Sequence, residues 1–229
     1  MLRRLATLAL SLSLATSAFT ATAADARSFA QAPADQPAEI DARMIMRKPD
    51  STPRISAAAR AKLRKVLAAR RAKNVNAFRA YANRGVYPHN FTIAGPLNVW
   101  IDEEGHMCAA ATMIFKSGAK SLVRQTGRSN NFVKLGDVTS GALMDWMLTS
   151  GLTQSEVALI QEPFMGRPEP EPGEPPMGSA QWRTAEDARL KARYAEILAT
   201  LGSSPDASID AAIDTLATRP DLVARLLKA

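Results

Sequence analysis

Cysteine is almost missing from this chain: Cys108 stands alone in 229 residues. An intrachain disulfide is therefore excluded, and stability must come from an apolar core. Histidine is nearly as scarce, with only His89 and His106. Neither a Cys-x-x-Cys pair nor His at i and i+4 occurs, so the standard zinc spacings are absent. No metal or cofactor is expected. No apolar run reaches the roughly 20 residues that a membrane-spanning helix needs. Acids are missing where bases crowd. From Arg43 to Arg84 thirteen Lys or Arg stand against Asp50 alone, a local balance of +12.

What the chain does contain begins at its first residues. Arg3 and Arg4 are followed by an apolar stretch from Leu5 to about Phe19, and then by Ala21-Thr22-Ala23. A charged start, a short apolar run and a small-x-small site make residues 1–23 a cleavable signal peptide, cut before Ala24. Ala6 sits where a twin-arginine signal carries a large apolar residue, which favours the ordinary secretory route. No cysteine lies near the cut, so a lipid-modified terminus is excluded. Cleavage removes two arginines and lowers the net charge from +7 to +5 on 206 residues. The expectation is a periplasmic or extracellular protein of bacterial character.

Residues 24–50 lack an apolar period and are expected to be a disordered tether. Ser51-Thr52-Pro53 is a helix-start signal. Leu63, Val66, Leu67, Phe78, Tyr81 and Ala82 then recur at helical spacing, and Gly85 is placed to end that helix. Leu97 to Ile101 alternates like a short strand, and Asp102-Glu103-Glu104-Gly105 reads as a turn. Cys108 to Phe115 is expected to be a buried helix, with a returning hairpin strand as the alternative. Helical material follows at 120–126 and 142–149, and Thr153-Gln154-Ser155-Glu156 is a capping box. Residues 163–180, rich in Pro, Gly and acids, read as a stiff linker. Three helices are expected beyond it. The fold class is mainly α with a small β-hairpin or short strands. A compact helical domain over 51–162 is joined to a C-terminal helical appendage over 181–229.

The chemistry-bearing candidates lie between Trp100 and Ala110. A turn delivers Cys108 to a helix start, where unpaired N–H groups and the helix dipole lower a thiol's pKa. His106 or His89 is placed to act as base, with Asp102 as its orienter. Against this, a lone cysteine beside an Ala run is commonly a packing residue. Cys108 also has no His after it in papain-like order, and the caspase-like local motif is absent. Asn90-Phe91-Thr92 matches the N-glycosylation pattern.

The basic helix is the second candidate. Arg64, Arg71 and Arg79 are its expected contacts to an anionic envelope surface or wall polymer. Solvated cations on the outer face of a core helix are the ordinary alternative. Export removes nucleic acid as a partner.

Trp100, Asp102, Gly105, Cys108 and Ala109 spell aromatic-x-Asp-x-x-Gly-x-x-Cys-Ala. Asn130-Asn131, Trp146 and Gly151-Leu152-Thr153 with Glu156 follow in order. This pattern resembles a group of exported bacterial proteins of unknown function, over roughly residues 60–165. The resemblance implies a domain and brings no mechanism with it. The functional expectation is a non-enzymatic exported binding module, with a cysteine-dependent hydrolase or transferase as the alternative.

Overall fold

A computed structural model describes residues 55–166 and 180–228. The signal peptide, the tether, the Ser51-Thr52-Pro53 helix start and most of the linker lie outside the described residues.

The spine is α1, Ala57–Arg84. Ser56 caps it by accepting the Ala59 N–H at 3.2 Å, and Gly85 ends it in the left-handed conformation. At 1.5 Å per residue its 28 residues run about 42 Å. Its buried stripe is Leu63, Leu67, Arg71, Asn74, Phe78, Tyr81 and Ala82, a helical period with two polar members. Each fully buried Leu or Phe in such a stripe contributes about 1.5–3 kcal/mol.

The length of α1 lets it serve two cores. Toward its C-terminal end Phe78 and Tyr81 join Tyr87, Trp100, Met113, Ile114 and Tyr194. Phe78, Tyr81 and Tyr87 all meet the Tyr194 ring at 5.2–5.6 Å. Toward its N-terminal end Leu63 and Leu67 meet Ile209, Ile213, Leu216, Leu222 and Leu226.

After α1 the chain makes a short strand, β1 (Gly95–Leu97), then α2 (Ala109–Lys116) and α3 (Lys120–Ser129). A 3-10 turn at Leu135–Asp137 precedes α4 (Gly141–Thr149) and α5 (Gln154–Ile160). β2 (Phe164–Gly166) pairs antiparallel with β1, Leu97 opposite Phe164. The mainly helical class with a small antiparallel pair is what the sequence leads one to expect, but the pairing differs in place. Leu97 to Ile101 does not form a strand of its own. Only a single bridge, Ile101 to Met107, closes the turn after it. The Cys108–Phe115 segment is helix, and Cys108 is its N-cap.

α6 (Ala180–Ser203), α7 (Pro205–Leu216) and α8 (Pro220–Lys228) complete the described chain. All three pack on α1, in the same compact unit as α2–α5.

Candidate functional site

The turn before α2 is assembled from the side chains of the motif itself. Trp100 is fully buried and its indole N–H donates to the Val123 carbonyl at 3.0 Å. One Asp102 carboxylate oxygen accepts the Glu104 and His106 backbone N–H groups, at 3.0 and 2.7 Å. Gly105 has φ of 84°, which a side-chain-bearing residue adopts only at a cost. Asn131 reaches back to Ile101, accepting its N–H at 3.1 Å and donating to its carbonyl at 2.8 Å. It thus stands in for a neighbouring strand. Each of these motif residues has a backbone to hold.

Cys108 is part of that construction. Its Sγ accepts the Ala111 N–H at 3.4 Å, a weak thiol version of a serine cap. The residue is 1% exposed, and its thiol lies close enough to the buried Tyr81 and Tyr194 phenols to help raise both of them. Burial pushes the thiol up to about 12, far outweighing the helix N–H groups that lower it. Desolvation therefore defeats the helix-start effect on which an activated thiolate would depend. Among the described residues, no hydrogen bond joins Cys108 to either histidine.

The histidines go elsewhere. His106 Nδ1 lies 3.1 Å from Asp102 Oδ2 and 3.5 Å from Glu104 Oε2. The expected orienting role of Asp102 toward His106 thus has its geometry, but the thiol is not part of it. Glu104 in turn accepts from Arg183 at 2.8 Å, and that hydrogen bond holds its carboxyl below the usual range. Asp102, Glu104 and His106 bring one potential metal-ligand atom each within 4.8 Å of one another. In this structure those lone pairs hold the turn and the Arg183 contact. His89 is buried, with Nε2 3.2 Å from Asp187 and its ring against Phe91 and Trp182. Burial raises the Asp187 carboxyl despite the histidine beside it. Asp187 and Arg183 come from α6, about 80–100 residues away in sequence, and no local signal announces them.

Asn90 is fully buried, and its amide donates to the Ile93 and Gly95 carbonyls at 3.1 and 3.0 Å. The glycosylation pattern therefore falls on a core residue of the folded chain.

The three arginines expected to face an anionic surface fare differently. Arg71 is 4% exposed, so it belongs to the interior and not to a surface. Its guanidinium makes a bidentate pair with Glu156 and donates to the Leu201 carbonyl at 2.8 Å. Arg64 reaches Asp206 at 3.0 Å and also pairs with Asp210. Arg60 pairs with Asp210 and Asp214, at 3.3 and 2.6 Å. Asp206, Asp210 and Asp214 lie four residues apart on α7 and neutralise this end of α1. Of the expected three, Arg79 alone is exposed without an acidic partner among the described residues, its guanidinium donating to Asn76. No protein family, no curated protein and no solved structure matches this chain.

Proposed function

We propose that this protein is a non-enzymatic binding module that acts in the cell envelope or outside the cell. The observation that carries this reading is Cys108: the sole thiol is sealed in the core, bonded to a helix N–H and held protonated by burial. A nucleophile must be both ionised and reachable. The export half of the proposal rests on the signal-peptide pattern of residues 1–23.

The alternative, a cysteine-dependent hydrolase or transferase, draws support from the Asp102–His106 contact at 3.1 Å. That contact orients an imidazole and supplies no nucleophile.

Reaction of the full chain with iodoacetamide, followed by mass spectrometry across pH, tests the reading. The expected result is no labelling of the native protein, and stoichiometric labelling in denaturant. Native labelling that persists below about pH 7, where only a low-pKa thiol is ionised, overturns it.

A further inference from the structure

Two clefts beside α1, of about 340 and 390 Å³, share Arg70, Ala119, Trp146 and Thr149 in their walls. They therefore run together as one trough between α1, the α2–α3 turn, α4 and α8. Lys73 and Ser117 lie along one half, and Asp145 and Arg225 along the other. The walls carry three cations, Arg70, Lys73 and Arg225, against one acid.

That acid is already engaged, with Arg219 at 3.0 Å and Arg225 at 3.5 Å. Arg70 spends one N–H on the Thr149 carbonyl at 3.0 Å and meets no carboxylate among the described residues. Lys73 is exposed and has no acidic partner among the described residues. The contrast within α1 is informative. Arg60, Arg64 and Arg71 are each matched by acids of α5 or α7, whereas Arg70 and Lys73 leave their charge in the trough.

The trough also offers an apolar wall. Trp146 is half-buried, and its indole N–H donates to the Ser117 hydroxyl at 2.9 Å, which fixes the ring's orientation. The ring packs in part against the core, and the part that lines the trough is held by its polar edge, so it can take an apolar ligand surface at little entropic cost. The Ser117 and Thr149 hydroxyls keep acceptor capacity beside it.

We propose that this trough binds an anionic glycan, a saccharide chain carrying carboxylates. Arg70, Lys73 and Arg225 pair with the carboxylates, and Trp146 packs against a sugar ring. The proposal rests on the binding-module reading and names its ligand class. A lipid surface fits less well, because the cations line a concavity that a flat bilayer does not enter.

The test uses the full chain, titrated at low salt with tetragalacturonate, with maltotetraose as a neutral counterpart and with anionic phospholipid vesicles. Calorimetry and tryptophan fluorescence report binding. Saturable binding of tetragalacturonate alone is expected, and loss of one charge-assisted contact in Lys73→Glu or Arg225→Glu should weaken it about tenfold or more. Lys65→Glu, on α1 but outside the trough, should leave affinity unchanged. Trp146→Phe should weaken binding by calorimetry. Circular dichroism verifies that each variant is folded, and Arg225→Gln substitutes for any charge reversal that is not.

Absence of tetragalacturonate binding overturns the proposal, as does equal affinity for maltotetraose. Equal weakening by Lys65→Glu would show diffuse attraction, and vesicle binding with the same Lys73 dependence would show a lipid site. Either outcome also overturns it. None of these results alters the thiol-labelling outcome, so the two proposals fail separately.

Discussion

Glu156 accepts two hydrogen bonds from the Arg71 guanidinium, at 2.7 and 2.8 Å, with the two side chains 14% and 5% exposed. The same carboxylate accepts the Thr153 N–H as the capping-box glutamate of α5, and the Ser208 hydroxyl from α7. One carboxylate thus ties α1, α5 and α7 together. Breaking a buried pair from one side leaves an uncompensated charge and costs about 3–5 kcal/mol. Glu156→Gln should lose about that much in urea unfolding, because glutamine still completes the capping box. Arg71→Met should lose a similar amount, and the Arg71→Met/Glu156→Gln double variant should lose clearly less than the sum of the two. Strict additivity would show that the pair is not coupled.

The same carboxylate makes stability depend on acid. Burial raises the Glu156 pKa, but the Arg71, Thr153 and Ser208 hydrogen bonds outweigh it and hold the group below its ordinary 4.5. A carboxyl depressed in the folded state stabilises above its unfolded pKa, and that stability is lost as pH falls through the folded value. Unfolding free energy should therefore decline as pH falls below about 4.5. Glu156→Gln should flatten that part of the profile. An unchanged acid limb in the variant would remove Glu156 from the account.

Much of this frame was legible in the sequence, and the gaps have physical causes. The capping box, the Gly85 stop and the Gly105 turn are local rules, and each holds in the structure. The helix start at Cys108 was also local. Whether its thiol is activated was not, because that depends on how deeply the assembled core buries it. Arg71 looked like one more surface cation because its partner lies 85 residues away. β1 was misplaced for the same reason, since three residues become a strand only when Phe164–Gly166 comes alongside.

The ladder between α1 and α7 should be weak one contact at a time. Arg60, Arg64 and Asp210 have side chains 37–40% exposed, and exposed ion pairs typically contribute about 0.2–1 kcal/mol. Asp210→Asn touches two of them at once, so a loss of about 1 kcal/mol or less is expected. Added salt should shrink that loss. A salt-independent loss well above that range would show that Asp210 acts through packing.

Cys108 predicts an alkaline limb. Its pKa is about 9 when unfolded and is pushed up to about 12 by burial in the fold. Between these values the unfolded chain sheds a proton that the folded chain keeps. The raised pKa therefore stabilises below pH 9, and that stability is lost as pH rises toward 12, at about 1.4 kcal/mol per unit. Tyr81 and Tyr194 are also raised well above 10 and steepen the upper part of the limb. Cys108→Ala should remove the portion that begins near pH 9 and leave the tyrosine portion in place. An identical onset in the variant would mean that the thiol does not titrate with unfolding.

Gly151 marks a close approach between α1 and the turn that joins α4 to α5. Its φ is +82°, and a Cβ built there would lie 2.1 Å from the Leu67 carbonyl oxygen and 2.7 Å from the Arg71 N. Both are backbone atoms of a helix, so neither can yield as a flexible side chain does. Around this point Arg70 and Asn74 donate to the Thr149 and Ser150 carbonyls, at 3.0 and 2.8 Å. The turn is therefore held against the helix. Gly118 separates conformational strain from collision, since its φ is +102° with nothing within 4 Å of a built Cβ. Gly118→Ala should cost about 1–2 kcal/mol, the left-handed penalty alone. Gly151→Ala should cost that and more, because α1 must shift and disturb the neighbouring Arg71–Glu156 pair. Urea unfolding of the two variants side by side measures the difference, and equal losses would show that the turn moves away from α1 freely.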